Sequence, residues 1–80
     1  MLSDLDIKST VEGAFSPLRC VAEIWDYNQK LRFKVFDAKG NVVFEMAEII
    51  LREIRKKNNL ASILSSARKI VEKKGFMLDP

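Results

Sequence analysis

The 80-residue chain carries 14 Lys and Arg against 11 Asp and Glu, a net charge of +3, and 48% of it is apolar. A chain of this size makes one domain and buries only about 60–65% of its unfolded surface, so a lone monomer is marginal, while the apolar content excludes a disordered chain. The single cysteine, Cys20, excludes an internal disulfide and a cysteine metal cage, and the lack of histidine removes the commonest general base and metal ligand near neutral pH.

Met1-Leu2-Ser3-Asp4 has neither the basic nor the apolar region of a signal peptide. No apolar run exceeds three residues, as in Ile49-Ile50-Leu51, far short of a bilayer span. These features set the expectation of a cytoplasmic protein that does not enter the membrane. The charges are interleaved, so the mild excess of cations permits nucleic-acid binding without arguing for it.

Residues 1–17 are read as a short helix or a loosely ordered arm. Ser3 would cap a helix with Asp4 and Asp6 in its first turn, but Leu5, Ile7 and Val11 also suit an extended segment. Gly13 and Ser16-Pro17 then break the chain. Residues 18–47 read as a β-meander with strands near 18–27, 30–37 and 41–47. Lys30-Leu31-Arg32-Phe33-Lys34-Val35 alternates strictly, the signature of a half-buried strand. Asn28-Gln29 is taken as a two-residue turn, and Asp37-Ala38-Lys39-Gly40 as a four-residue loop with Gly40 left-handed. Those loops set Ile24 opposite Phe33 and Ala22 opposite Val35, then Val35 opposite Val42, Phe33 opposite Phe44 and Leu31 opposite Met46. On the reverse face Glu23 meets Lys34, Arg32 meets Glu45, and Trp25 lies beside Arg32.

Residues 48–75 switch to helical spacing. A short helix over Glu48–Lys57 presents Ile50 and Ile54. A longer one, with Asn59 at its N-cap, repeats Leu60, Ile63, Leu64, Ala67, Ile70 and Val71 at i, i+3, i+4 and i+7. Gly75 ends it, and Phe76 packs back on Val71. The fold class is therefore α+β in two layers: a three-stranded antiparallel meander packed against C-terminal helices. The order helix–strand–strand–strand–helix is similar to that of the double-stranded RNA-binding domain. That family opens its last helix with Lys-Lys-x-Ala-Lys and carries Gly and His between its first two strands. Here the helix opens Asn58-Asn59-Leu60-Ala61-Ser62 and the turn is Asn28-Gln29, so the likeness is one of topology and no membership is assigned.

No catalytic constellation emerges. The six serines lack an activator, the three glycines cannot build a phosphate-cradling loop, and Cys20 falls on the inward face as a small hydrophobe. Asp4 and Asp6 suit a helix N-terminus better than a metal site. Glu23 and Glu45 each face a cation that holds them ionised, which opposes the raised pKa a general acid needs. The expectation is a non-catalytic protein with no cofactor, no metal and no small-molecule substrate.

The informative feature is the back of the sheet. Val21, Trp25, Phe36 and Val43 are expected there among Arg32, Lys34, Glu23 and Glu45, and contiguous apolar patches are uncommon on monomers. Aromatics with interspersed Arg also match interface cores. The expected partner-binding residues are Val21, Trp25, Arg32, Lys34, Phe36 and Val43, engaging a protein or a second copy of the chain. The competing structural reading has residues 1–17 fold over this face, with Leu5 and Ile7 on Trp25 or Phe36. The alternative function is nucleic-acid binding, with bases stacked on Trp25, Tyr27 and Phe36 and phosphates on Lys30, Arg32 and Lys34. The basic run Arg55-Lys56-Lys57 reads mainly as cations at a helix C-terminus; of Arg68, Lys69, Lys73 and Lys74 on the last helix, Lys73 and Lys74 again sit at a C-terminal end and Lys69 with Lys73 forms a solvated stripe.

Overall fold

The computed structural model describes residues 3–25, 27 and 29–79; Asn28, expected in the first turn, lies outside them, as do Met1, Leu2, Asp26 and Pro80. Among the described residues the order is α1 (Asp4–Gly13), β1 (Arg19–Trp25), β2 (Lys30–Phe36), β3 (Val42–Ile50), α2 (Leu51–Lys57) and α3 (Leu60–Lys73). The strands form one antiparallel sheet in the order β1-β2-β3. The α+β meander followed by a short and a long helix is thus observed.

Residues 4–13 form a helix, not a loose arm. Ser3 accepts from the Asp6 N–H while the Asp6 carboxylate accepts from the Ser3 N–H, a reciprocal cap that satisfies two otherwise orphaned donors. Asp4 and Asp6 sit in the first turn, where the helix dipole favours negative charge. The helix joins the inner layer: Ile7 and Val11 are buried in the core with Phe15, whereas Leu5 is 72% exposed. It therefore leaves Trp25 and Phe36 uncovered, and the competing reading, in which this segment folds over the back of the sheet, does not hold.

The strict alternation of β2 is realised. Leu31, Phe33 and Val35 are buried, and Arg32 and Lys34 are exposed. Full burial of each such apolar side chain stabilises the fold by about 1.5–3 kcal/mol. Phe33 stands between Phe15 and Phe44, with ring centroids 5.6 and 5.9 Å away. Leu51 and Ile54 of α2 and Leu60, Leu64, Ala67 and Val71 of α3 complete the same core. Ile70, expected on the core stripe, is instead 44% exposed.

The pairing register differs from the expected one in both hairpins. In the first, Ile24 faces Leu31, Ala22 faces Phe33 and Cys20 faces Val35. Gln29 donates to the Trp25 carbonyl at 3.2 Å, Tyr27 takes a left-handed φ of 55°, and Trp25 pairs with Lys30, so four residues and not two separate the paired strand ends. A slip of two residues keeps every side chain on its face but changes every partner. In the second hairpin the turn at Asp37 with a left-handed Gly40 forms as expected, but Phe36 pairs with Val42, so the loop holds five residues and not four. Gly40 has φ 85° and donates to the Asp37 carbonyl, while Asp37 Oδ1 accepts from the N–H groups of Lys39 and Asn41. Beyond it, β3 carries two irregularities. Phe36 pairs with Val42 but Val35 pairs with Phe44, and Phe33 pairs with Met46 but Leu31 pairs with Ile49. An extra residue stands in β3 at Val43 and another at Ala47-Glu48. They let the β-branched Ile49 and Ile50 stay in the strand, and α2 starts at Leu51, three residues later than the periodicity suggests.

Several cations act as structural ties. Arg55 pairs with Asp4, joining α2 to α1. Arg68 donates to the Ala14 carbonyl at 2.5 Å and to that of Asp79, holding α3 to the segment after α1 and to the tail. Lys57 pairs with Glu53 one turn earlier at 3.3 Å. Gly75, φ 99°, donates to the Glu72 carbonyl and ends the last helical turn, and Phe76 packs against the core cluster that contains Val71.

Candidate interaction surface on the outer sheet face

The alternation of β1 and β2 aims Arg19, Val21, Glu23 and Trp25 and Lys30, Arg32, Lys34 and Phe36 away from the helices. Of the expected contact residues, Val21 and Trp25 are 39% and 38% exposed, Arg32 and Lys34 are exposed, and Phe36 is half-buried. These five share the outer face. Val43 does not: as the extra residue of the first bulge it is partly buried and packs against the core. Val42, paired with Phe36, takes its place at 51% exposed. Each bulge bends its strand, and the face is hollowed by a depression of about 400 Å³ lined by Val21, Glu23, Arg32, Lys34, Phe36 and Glu45.

Charges on this face are organised strand by strand. Glu23 of β1 receives Arg32 of β2 through Nε at 3.0 Å and a terminal nitrogen at 2.6 Å. Lys34 of β2 lies 3.4 Å from Glu45 of β3, and Lys30 lies 2.6 Å from Glu48. The register shift thus exchanges the expected partners, Glu23 with Lys34 and Arg32 with Glu45. The hydrogen bond from Arg32, and then its charge, hold the Glu23 carboxyl below its usual range. Cations cover the aromatics: Lys30 and Arg32 lie 5.0 and 5.4 Å from the Trp25 ring centre, and Arg19 lies 4.5 Å from that of Phe36.

Sequence reasoning missed Arg19, Val42 and Glu48. The parity of β1, extended back by two residues from Val21, would have found Arg19. Nothing in Val42-Val43 shows which valine a bulge will turn outward.

Chemistry elsewhere is sparse. The Cys20 thiol is buried, and burial first, then the nearby Glu12 carboxylate, push its pKa up to about 12. It is protonated at neutral pH and a poor nucleophile. Among the described residues no three His, Cys, Asp or Glu side chains converge on a metal position, and no helix is long and apolar enough to cross a membrane. The chain matches no family model, no curated protein and no solved structure.

Proposed function

We propose that this protein is a non-catalytic interaction module that docks a second copy of itself through the outer face of its sheet. The observation that carries the proposal is the placement of α1, α2 and α3 in one layer, which leaves Val21, Phe36 and Val42 near one end of the opposite side of the sheet and Trp25 toward the other, across the Glu23–Arg32 pair. Apolar faces of this kind mark contact surfaces. The occupant is chosen by charge. The pairs Glu23–Arg32, Lys34–Glu45 and Lys30–Glu48 leave the face close to neutral, so two copies meet without strong repulsion. Trp25 and Phe36 are the anchors; Arg32, Lys34, Glu23 and Glu45 set orientation. The marginal burial open to a chain of this length adds a reason for association.

The same ion pairs weaken the nucleic-acid reading. Arg32, Lys34 and Lys30 already face carboxylates, which reduces the counterion release that drives phosphate binding. Cations over Trp25 and Phe36 occupy ring faces that bases would need. Sedimentation velocity from low micromolar to near-millimolar concentration tests the proposal. A rising sedimentation coefficient, abolished in folded Val21→Asp and Phe36→Asp variants, is expected. A clean monomer throughout contradicts it.

A further inference from the structure

Among the described residues both edges of the sheet lack a strand partner, and each has one backbone group met by a side chain. On β1, the Glu12 carboxylate of α1 accepts the Ala22 N–H at 3.0 Å, so the adjoining helix caps that edge. On β3, among the described residues, no strand pairs with the far side; Lys74 reaches only the Val43 carbonyl. The orientation of the β3 backbone follows from the ladder. Ala22 gives its N–H to Glu12 and not to β2, so Phe33 opposite it turns its own groups toward Met46. Orientation alternates along antiparallel strands, so Glu45, opposite Lys34, aims its N–H and C=O at the open side.

Beside this edge runs an apolar groove of about 300 Å³, with Phe44 and Met46 on one wall and Ile63, Ala67 and Ile70 on the other. Its α3 wall is kept low by Ser62 and Ser66, whose small side chains leave room between helix and strand. An open backbone edge alongside a groove that takes every second side chain is the arrangement that accepts an added strand.

The geometry points to β3 and this groove as a site where an extended segment of another protein adds as a fourth strand, with apolar residues at alternate positions and Lys or Arg between them. The apolar residues enter the groove. The basic ones follow from the charge order across the outer face, which runs acidic at Glu23, basic at Arg32 and Lys34, and acidic at Glu45. Next in that series is a cation beside Glu45, giving it an opposite charge on both sides. The groove lies on the helix side of β3 and shares only Glu45 and Met46 with the surroundings of the outer-face depression, so the peptide titration reads it apart from self-association.

The test is an NMR titration of the full chain with acetylated, amidated Lys-Val-Lys-Val-Lys-Val-Lys, with its Glu-Val counterpart, and with the lysine peptide N-methylated at alternate amides. The lysine peptide should bind, slow exchange of the Glu45 amide and shift Ile70. The acidic peptide and the form methylated on the pairing edge should each bind about tenfold or more weakly, because like charge and a lost main-chain bond each weaken the complex. Glu45→Pro removes an edge-facing donor, a position where proline is tolerated, and should weaken binding by a similar factor; should that variant unfold, the methylated peptide decides. No binding, equal binding of both charge types, or binding indifferent to N-methylation overturns the proposal. So do concentration-dependent shifts at Ile63, Ala67 and Ile70 without peptide, which would assign the groove and its edge to a second copy.

Discussion

Leu31, Phe33 and Val35 share a strand with Lys30, Arg32, Lys34 and Phe36, yet the first set is buried in the core and the second lies on the outer face, exposed or half-buried. The contrast is set by period two and by where the helices pack. Two consequences of one alternation can therefore be separated experimentally: what holds the fold together and what is left for a partner.

The largest expected effect is on the inner side. Phe33→Ala removes a ring held between Phe15 and Phe44 and should cost about 3–5 kcal/mol in urea unfolding, enough to unfold much of a small domain. Val43→Asp falls in the same class, since a charge forced against the core is left unpaired and should cost several-fold more stability than Val42→Asp one residue away. Equal tolerance at 42 and 43 would show that the first bulge is misplaced. Arg68→Ala removes donors from the Ala14 and Asp79 carbonyls and should cost about 1–3 kcal/mol, measured by thermal unfolding with Arg68→Lys as a partial rescue.

Smaller effects come from titration. Cys20 has a folded pKa of about 12, above the ordinary value of 9.0 that it regains on unfolding. Its contribution is fully present below about pH 9 and is lost as pH rises toward 12, because only the unfolded thiol ionises easily across that window. Stability measured from pH 8 upward should fall, less so in Cys20→Ala, and a thiol reagent should modify the native protein slowly and the urea-unfolded protein fast. At the acid end the signs reverse. Asp37 is held low by hydrogen bonds from the Asn41 and Lys39 backbone, and Glu23 by Arg32. Each contributes stability above the ordinary carboxylate range that is lost as pH falls through its lowered value. Asp37→Asn should flatten the acid side of the profile slightly.

The two hairpins show how much of this was legible in the sequence. Strand identity and facing were readable because Lys30 to Phe36 alternates without exception, and the Asp37–Gly40 loop was readable because its turn chemistry is local. Partner assignment was not, because pairing depends on loop length. A left-handed Tyr27 with Trp25 paired to Lys30 looks no different in sequence from Asn28-Gln29 as a tight turn. The bulges of β3 were hidden for a related reason: Val42-Val43 and Ala47-Glu48 carry no glycine or proline to mark an extra residue. The same bulges decide that Val42 and not Val43 belongs to the outer face, and that Ile49 and Ile50 extend a strand and do not open a helix. Residues 4–13 were ambiguous because a short helix with two core contacts has almost the pattern of an extended arm; the reciprocal Ser3–Asp6 cap and burial of Ile7 and Val11 resolve it.

The division of the sheet into a closed and an open side is tested most directly by amide chemical shifts recorded across a concentration series. Progressive shifts are expected at Val21, Glu23, Arg32, Lys34 and Phe36, with the amides of Ile7, Val11, Leu64 and Val71 unmoved. Shifts confined to the helices, or none on the outer face at any concentration, would contradict it.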